Sequence, residues 1–234
     1  MKAKLFVRAL LALLFATSLS ASATHIVGGE LYYRYLGNDD YEIRLTVYRD
    51  CYNGIPPFDD PAYVGIWDFA NNLVIEVAMS PNDSATVPST INSPCFQPPT
   101  GICVRVANYY AIVNLPPIPG GYQLAYQRCC RNQTILNVVN PLNTGASFYA
   151  TIPGNGIVNS NPVFKELPPA FACNGYPLVF DHSATDLDGD SLVYSICNPL
   201  DGANQGNSAP LPSTAPPPFL PITFQAPFNI ANLM

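Results

Sequence analysis

Tyr41-Glu42-Ile43-Arg44-Leu45-Thr46-Val47-Tyr48 alternates apolar with polar side chains: Tyr41, Ile43, Leu45 and Val47 fall on one face, Glu42, Arg44 and Thr46 on the other. A period of two is that of a strand with one face buried. Upstream lies Glu30-Leu31-Tyr32-Tyr33-Arg34-Tyr35-Leu36, and between the two runs Gly37-Asn38-Asp39-Asp40. Gly, Asn and Asp adopt the left-handed backbone of a tight turn most readily, so the segment reads as a β-hairpin.

Working outward, further strand-like runs are Leu73 to Met79, Cys103 to Val113, Tyr122 to Arg128, Ser147 to Ile152 and Leu192 to Cys197, most of them bounded by Pro, Gly or Asn. The 25 prolines leave little room for helices of ordinary length. The expected fold is all-β, with two β-sandwich-like domains, the second incomplete, stapled by disulfides. A proline-marked connector from Asn159 to Pro169 places a boundary near residue 165, giving an N-terminal β-rich domain over 24–165 and a second unit over 166–234. The second unit is shorter than the roughly 100 residues of an immunoglobulin-like sandwich. This suggests a fragment of a longer protein.

Residues 1–23 read as a secretory signal peptide. Lys2 and Lys4 precede an apolar run from Leu5 to Leu14, and Ala21-Ser22-Ala23 fits small-residue cleavage. The run is shorter than the roughly 20 residues that span a bilayer, so no membrane-spanning segment is expected after cleavage. Without those residues the chain keeps seven basic against 16 acidic side chains. That balance argues against nucleic acid or anionic lipid as partners, since both require a basic face.

Export also sets the reading of the seven cysteines, which are expected to pair as disulfides with one left over. Cys95 with Cys103 would close a short loop, Cys173 with Cys197 would bracket the acidic run described next, and Cys51 would meet Cys129 or Cys130. Adjacent Cys129 and Cys130 are expected to bond to different partners.

Ala184-Thr185-Asp186-Leu187-Asp188-Gly189-Asp190-Ser191-Leu192 sets three carboxylates at alternate positions around a glycine. Hard carboxylate oxygens suit Ca²⁺, so Asp186, Asp188 and Asp190 are candidate ligands of a structural calcium ion, with Asp181 as a possible fourth. The competing reading is a solvated turn. Tyr32, Tyr33, Tyr35, Tyr109 and Tyr110 are considered as a sugar-stacking platform, against the ordinary alternative of packing in strands.

Enzymatic signatures do not complete themselves. Ile26-Val27-Gly28-Gly29 resembles the start of an activated trypsin-like protease, without a following Gly-Asp-Ser-Gly. Gly189-Asp190-Ser191-Leu192 spells an esterase motif, yet no histidine follows His182 to serve Ser191 as base. No catalytic residue is assigned, and the chain is read as not an enzyme.

Thr24-His25-Ile26-Val27-Gly28-Gly29-Glu30, the strand from Tyr41 to Cys51 and Tyr126-Gln127-Arg128-Cys129-Cys130-Arg131-Asn132 together resemble the N-terminal region of large secreted Bacteroidetes-type surface proteins, many of which end in a gliding-motility-associated, type IX secretion sorting domain. Phe180 to Tyr194 separately resembles cadherin-like and immunoglobulin-like repeats of bacterial adhesins, in which Asp186, Asp188 and Asp190 would be the metal ligands. The resemblance implies a non-catalytic extracellular or cell-surface protein, adhesin-like or gliding-associated, whose surface ligand is a glycan or a protein. The alternatives are accessory modules of a secreted carbohydrate-active or peptide-processing enzyme, and a matrix or filament subunit.

Overall fold

A computed structural model describes residues 26–52, 54, 56–87, 101–166, 177 and 179–233. The signal-peptide reading of 1–23 and the assignments to Cys95 and Cys173 lie outside them. Among the described residues ten strands run in order: β1 (Ile26–Gly37), β2 (Asp40–Asp50), β3 (Ala62–Asp68), β4 (Leu73–Met79), β5 (Pro81–Thr86), β6 (Val104–Asn114), β7 (Gly121–Arg128), β8 (Ala146–Pro153), β9 (Val163–Phe164) and β10 (Ala184–Thr185). The fold is all-β. Eight strands form two four-stranded antiparallel sheets, ordered β1-β2-β6-β5 and β4-β3-β7-β8, and β9 pairs with β10.

The hairpin forms as its sequence dictates. Asn38 and Asp39 take φ of 54° and 63°, the left-handed conformation that joins β1 tightly to β2. Tyr41, Ile43, Leu45 and Val47 enter the core, where they meet Val64 and Ile66 of β3, Leu124 of β7 and Ile152 of β8. Each such side chain taken from water contributes about 1.5–3 kcal/mol before conformational entropy is charged against it. β3 escapes the alternation rule because Ala62-Tyr63-Val64-Gly65-Ile66-Trp67-Asp68 is covered on both faces.

What covers its outer face is the C-terminal segment. Of the described residues in 166–234, only β10 is a strand. From Pro199 onward the chain instead straps itself over the β4-β3-β7-β8 sheet. The Ser147 hydroxyl donates to Asp201 O at 2.6 Å, Gln127 Nε2 to Ala215 O at 2.8 Å, and Phe219 packs edge-on against Trp67 and Tyr149 with ring centroids 6.3 and 6.1 Å away. Trp67 is 1% exposed as a result. Gly65 is required beneath the strap: a Cβ there would lie 2.1 Å from the Trp67 ring and 2.6 Å from Pro212 Cβ. An apolar outer face needs a cover, and a proline-rich strap supplies one without needing sheet hydrogen bonds of its own.

The cysteines pair differently from expectation. Cys51 is bonded to Cys103, joining the ends of β2 and β6, and Cys129 is bonded to its neighbour Cys130. The register pairs Asp50 with Val104, so Cys51 and Cys103 sit opposite each other just beyond the ladder. Cys103 is thereby closed to Cys95, and Cys51 to Cys129 and Cys130. Cys197 is a free, exposed thiol, so it does not bracket the acidic loop with Cys173. No helix among the described residues is long and apolar enough to cross a membrane.

Candidate functional site

The acidic loop lies at the edge of the sandwich. Gly189, at φ +84°, turns the chain, and Asp186 Oδ1 accepts from the backbone N–H groups of Asp188 (2.9 Å) and Asp190 (3.0 Å). Asp188 Oδ2 accepts from the Ser160 N–H. Ser160 belongs to the segment that clamps β1, where its hydroxyl accepts from Tyr35 N–H at 3.2 Å and the side chain of neighbouring Asn161 from Tyr33 N–H at 3.0 Å. The loop is therefore tied to the sandwich through one carboxylate.

Asp181 has a separate task, accepting from its own turn at Ser183 N–H (2.9 Å), which holds its carboxyl below the usual range. Among the described residues no group of three or more His, Cys, Asp or Glu side chains is placed to hold one metal ion. The sequence brings Asp186, Asp188 and Asp190 into one turn; the fold turns one oxygen each of Asp186 and Asp188 onto backbone N–H groups. The donors suit Ca²⁺ in chemistry, but this arrangement does not converge them.

A second candidate is the outer face of the β1-β2-β6-β5 sheet. Register aligns Tyr32, Arg44 and Tyr110 across three strands, and the Arg44 guanidinium lies 5.0 Å from one ring centroid and 4.5 Å from the other. Glu42 holds it at 3.1 Å and also reaches Arg34 at 3.3 Å. One row along, Thr46 donates to Asn108 at 3.0 Å, and Asn108 donates to Asp83 at 2.7 Å. Glu30 sits beside Tyr48; burial raises the Glu30 carboxyl, and burial together with Glu30 pushes the Tyr48 phenol up to about 12. A guanidinium held between aromatic faces loses little further freedom on meeting a partner.

The five tyrosines considered as a sugar platform divide between two environments. Tyr33 and Tyr109 are in the core at 1% and 0% exposure, and Tyr35 packs against it, because alternation sends odd positions of β1 and β6 inward. Tyr32 and Tyr110 alone reach the outer face, where Arg44 takes up a face of each ring.

Sequence reasoning did not single out the buried polar cluster beneath Pro56–Pro61. Arg128 Nη2 pairs with Asp59 Oδ1 at 3.0 Å, the Tyr126 hydroxyl donates to Asp59 Oδ2 at 2.7 Å, and the Tyr109 hydroxyl to Asp59 O at 2.9 Å. Burial, reinforced by Asp59, drives the Tyr126 phenol well above its ordinary value. The signal available was Tyr126-Gln127-Arg128 itself, a strand whose last residue is a cation entering the core. Its partner Asp59, far away in sequence and in a loop, carries no local mark.

Comparison with known proteins finds no matching family model, no similar curated protein and no similar solved structure.

Proposed function

We propose that this chain is a non-catalytic extracellular or cell-surface protein, adhesin-like or gliding-associated, which engages a surface protein or glycan through the outer face of its β1-β2-β6-β5 sheet. One observation carries the reading. The chain covers one sheet with its own strap and leaves the other with an immobilised Tyr32–Arg44–Tyr110 row, edged by Glu30, Glu42 and Asn108. Aromatic and arginine side chains held rigidly on strands are the groups that contribute most at interfaces. The two disulfides among the described residues suit an oxidising compartment. The resemblance of the hairpin and of Tyr126 to Asn132 to secreted surface proteins supports the same compartment.

The test is adhesion of the folded protein to host or self surfaces and to arrayed glycans. Arg44→Ala should lower affinity by about tenfold or more, the scale of a single well-buried contact. Binding unchanged by both Arg44→Ala and Tyr110→Ala would remove this face from the interaction.

Calcium remains part of the proposal. A cation at Asp186, Asp188 and Asp190 would cancel their mutual repulsion and stiffen the clamp on β1 through Ser160. Excess Ca²⁺ should then raise the melting temperature by several degrees relative to chelator, because a ligand held only by the folded state stabilises it. Asp188→Ala should abolish the rise; equal melting of parent and variant in both conditions would make the loop an ordinary turn.

A further inference from the structure

The open side of the sandwich, where edge strands β1 and β8 face each other, holds a groove of about 590 Å³ lined by Gly29, Leu31, Phe148, Tyr149, Phe164 and Cys197. Its walls include unpaired backbone. β1 is clamped at both ends by its own chain: Ile26 N–H donates to Cys130 O at 3.3 Å, and Asn161 N–H donates to Tyr33 O at 2.9 Å. Tyr33 turns its peptide groups away from β2 toward this edge, and the pairing alternates along the strand, so those of Gly29 and Leu31 face the same way. Neither has a partner among the described residues. On β8, Ser147 N–H donates outward to Leu200 O at 3.3 Å, so by the same alternation the peptide groups of Tyr149 also face out, with no partner among the described residues. The floor is apolar, since the missing side chain of Gly29 lets Phe148 lie against β1. An unpaired strand edge over an apolar floor is the form of a site that takes an added strand.

The chain also exposes a segment of the matching form. Ser191-Leu192-Val193-Tyr194-Ser195-Ile196-Cys197-Asn198 carries no charge and is rich in apolar, β-branched and aromatic residues, yet it joins no strand among the described residues. Val193 is 94% exposed, Ile196 77% and Tyr194 55%. An uncharged strand-forming segment exposed in this way is complementary to a free edge. Its last residues line the rim of its own groove, so two copies meeting about a two-fold axis would present groove to groove, each passing 191–196 into the other. We propose that this chain self-associates by exchanging the 191–196 segment, seated between β1 and β8 of a second copy and hydrogen-bonded to Gly29 and Leu31. This surface is distinct from the Tyr32–Arg44–Tyr110 face and does not depend on the reading given to that face.

The test is sedimentation velocity of the full chain across low to high micromolar concentration, with Cys197→Ser present throughout to exclude thiol exchange. A reversible dimer is expected, with hydrogen exchange slowed at Leu31 and Tyr149 as it forms. Val193→Lys and Ile196→Lys, on exposed side chains that the fold does not need, should each weaken it by about tenfold or more. The monomeric Ile196→Lys variant should still bind a labelled peptide spanning 190–198, which shows its groove to be intact. A parent that stays monomeric overturns the proposal even if the peptide binds. A dimer indifferent to both lysines, or one that leaves Leu31 exchange unchanged, does so as well.

Discussion

Replacing Arg128 by alanine should cost about 3–5 kcal/mol of folding stability, the scale for leaving one member of a buried ion pair without its counter-charge. Arg128 and Asp59 have side chains only 14% and 15% exposed, so the solvent that makes surface pairs nearly worthless is largely excluded here. Arg128 also donates to Ser208 through its backbone oxygen (3.0 Å) and its hydroxyl (2.9 Å), holding the strap against the end of β7. Asp59 meanwhile organises Tyr126 and the loop above it. The loss should appear in urea unfolding as a lower midpoint with an unchanged slope. Asp59→Ala alone should be similarly costly, and the double variant should recover part of the sum, because it removes both charges rather than stranding one. A cost under about 1 kcal/mol for Arg128→Ala would mean that water reaches the pair as it does on a surface.

Gly65→Val should displace the strap, and the displacement can be read directly because Trp67 is the only tryptophan in the chain. The added carbons have no space, with the Trp67 ring and Pro212 both inside contact distance of a Cβ. Overpacking of this kind costs about 1–3 kcal/mol, and relief here lies outward, through movement of the strap. Fluorescence emission from Trp67 should therefore shift to the red in the folded variant, while the core between the sheets keeps its cooperativity. Phe219→Ala removes the ring that covers Trp67 from the other side without crowding the sheet, and should give a smaller shift of the same sign. Emission unchanged in both variants would mean that Trp67 is shielded by the sheet itself and that the strap is dispensable.

These effects arise where the sequence was hardest to read. The hairpin, β4, β6 and β8 were legible because each has one face in the core and one toward solvent or a polar neighbour, while β7, buried on both faces, was legible as a strand-like run from Tyr122 to Arg128 that follows Gly120-Gly121. β3 leaves no alternating record, since the strap buries its outer face and apolar residues are favoured on both. β5 begins at Pro81 and continues through Asn82, Asp83 and Ser84, residues disfavoured in strands but tolerated at a sheet edge. Leu192 to Cys197 shows the reverse: strand-like in composition, it joins no strand among the described residues, because sheet membership depends on a neighbour as well as on propensity. Of the candidate site residues, Asp186, Asp188 and Asp190 were recognised as one turn from their spacing alone. The bonds that Asp186 accepts stay within the turn, whereas the one that Asp188 accepts from Ser160 N–H spans 28 residues and is invisible locally.

By itself, then, the sequence determined the fold class, the hairpin, the inward residues of its second strand and the acidic turn, all of which follow from rules acting over a few consecutive residues. Only the tertiary structure decided that Cys51 meets Cys103, that Asp59 neutralises Arg128, that residues beyond 198 strap the sandwich, and that Arg44 stands between two tyrosines. Each of these joins positions on different strands or loops, and which ones meet is settled by strand order and register across the whole core rather than by any local pattern.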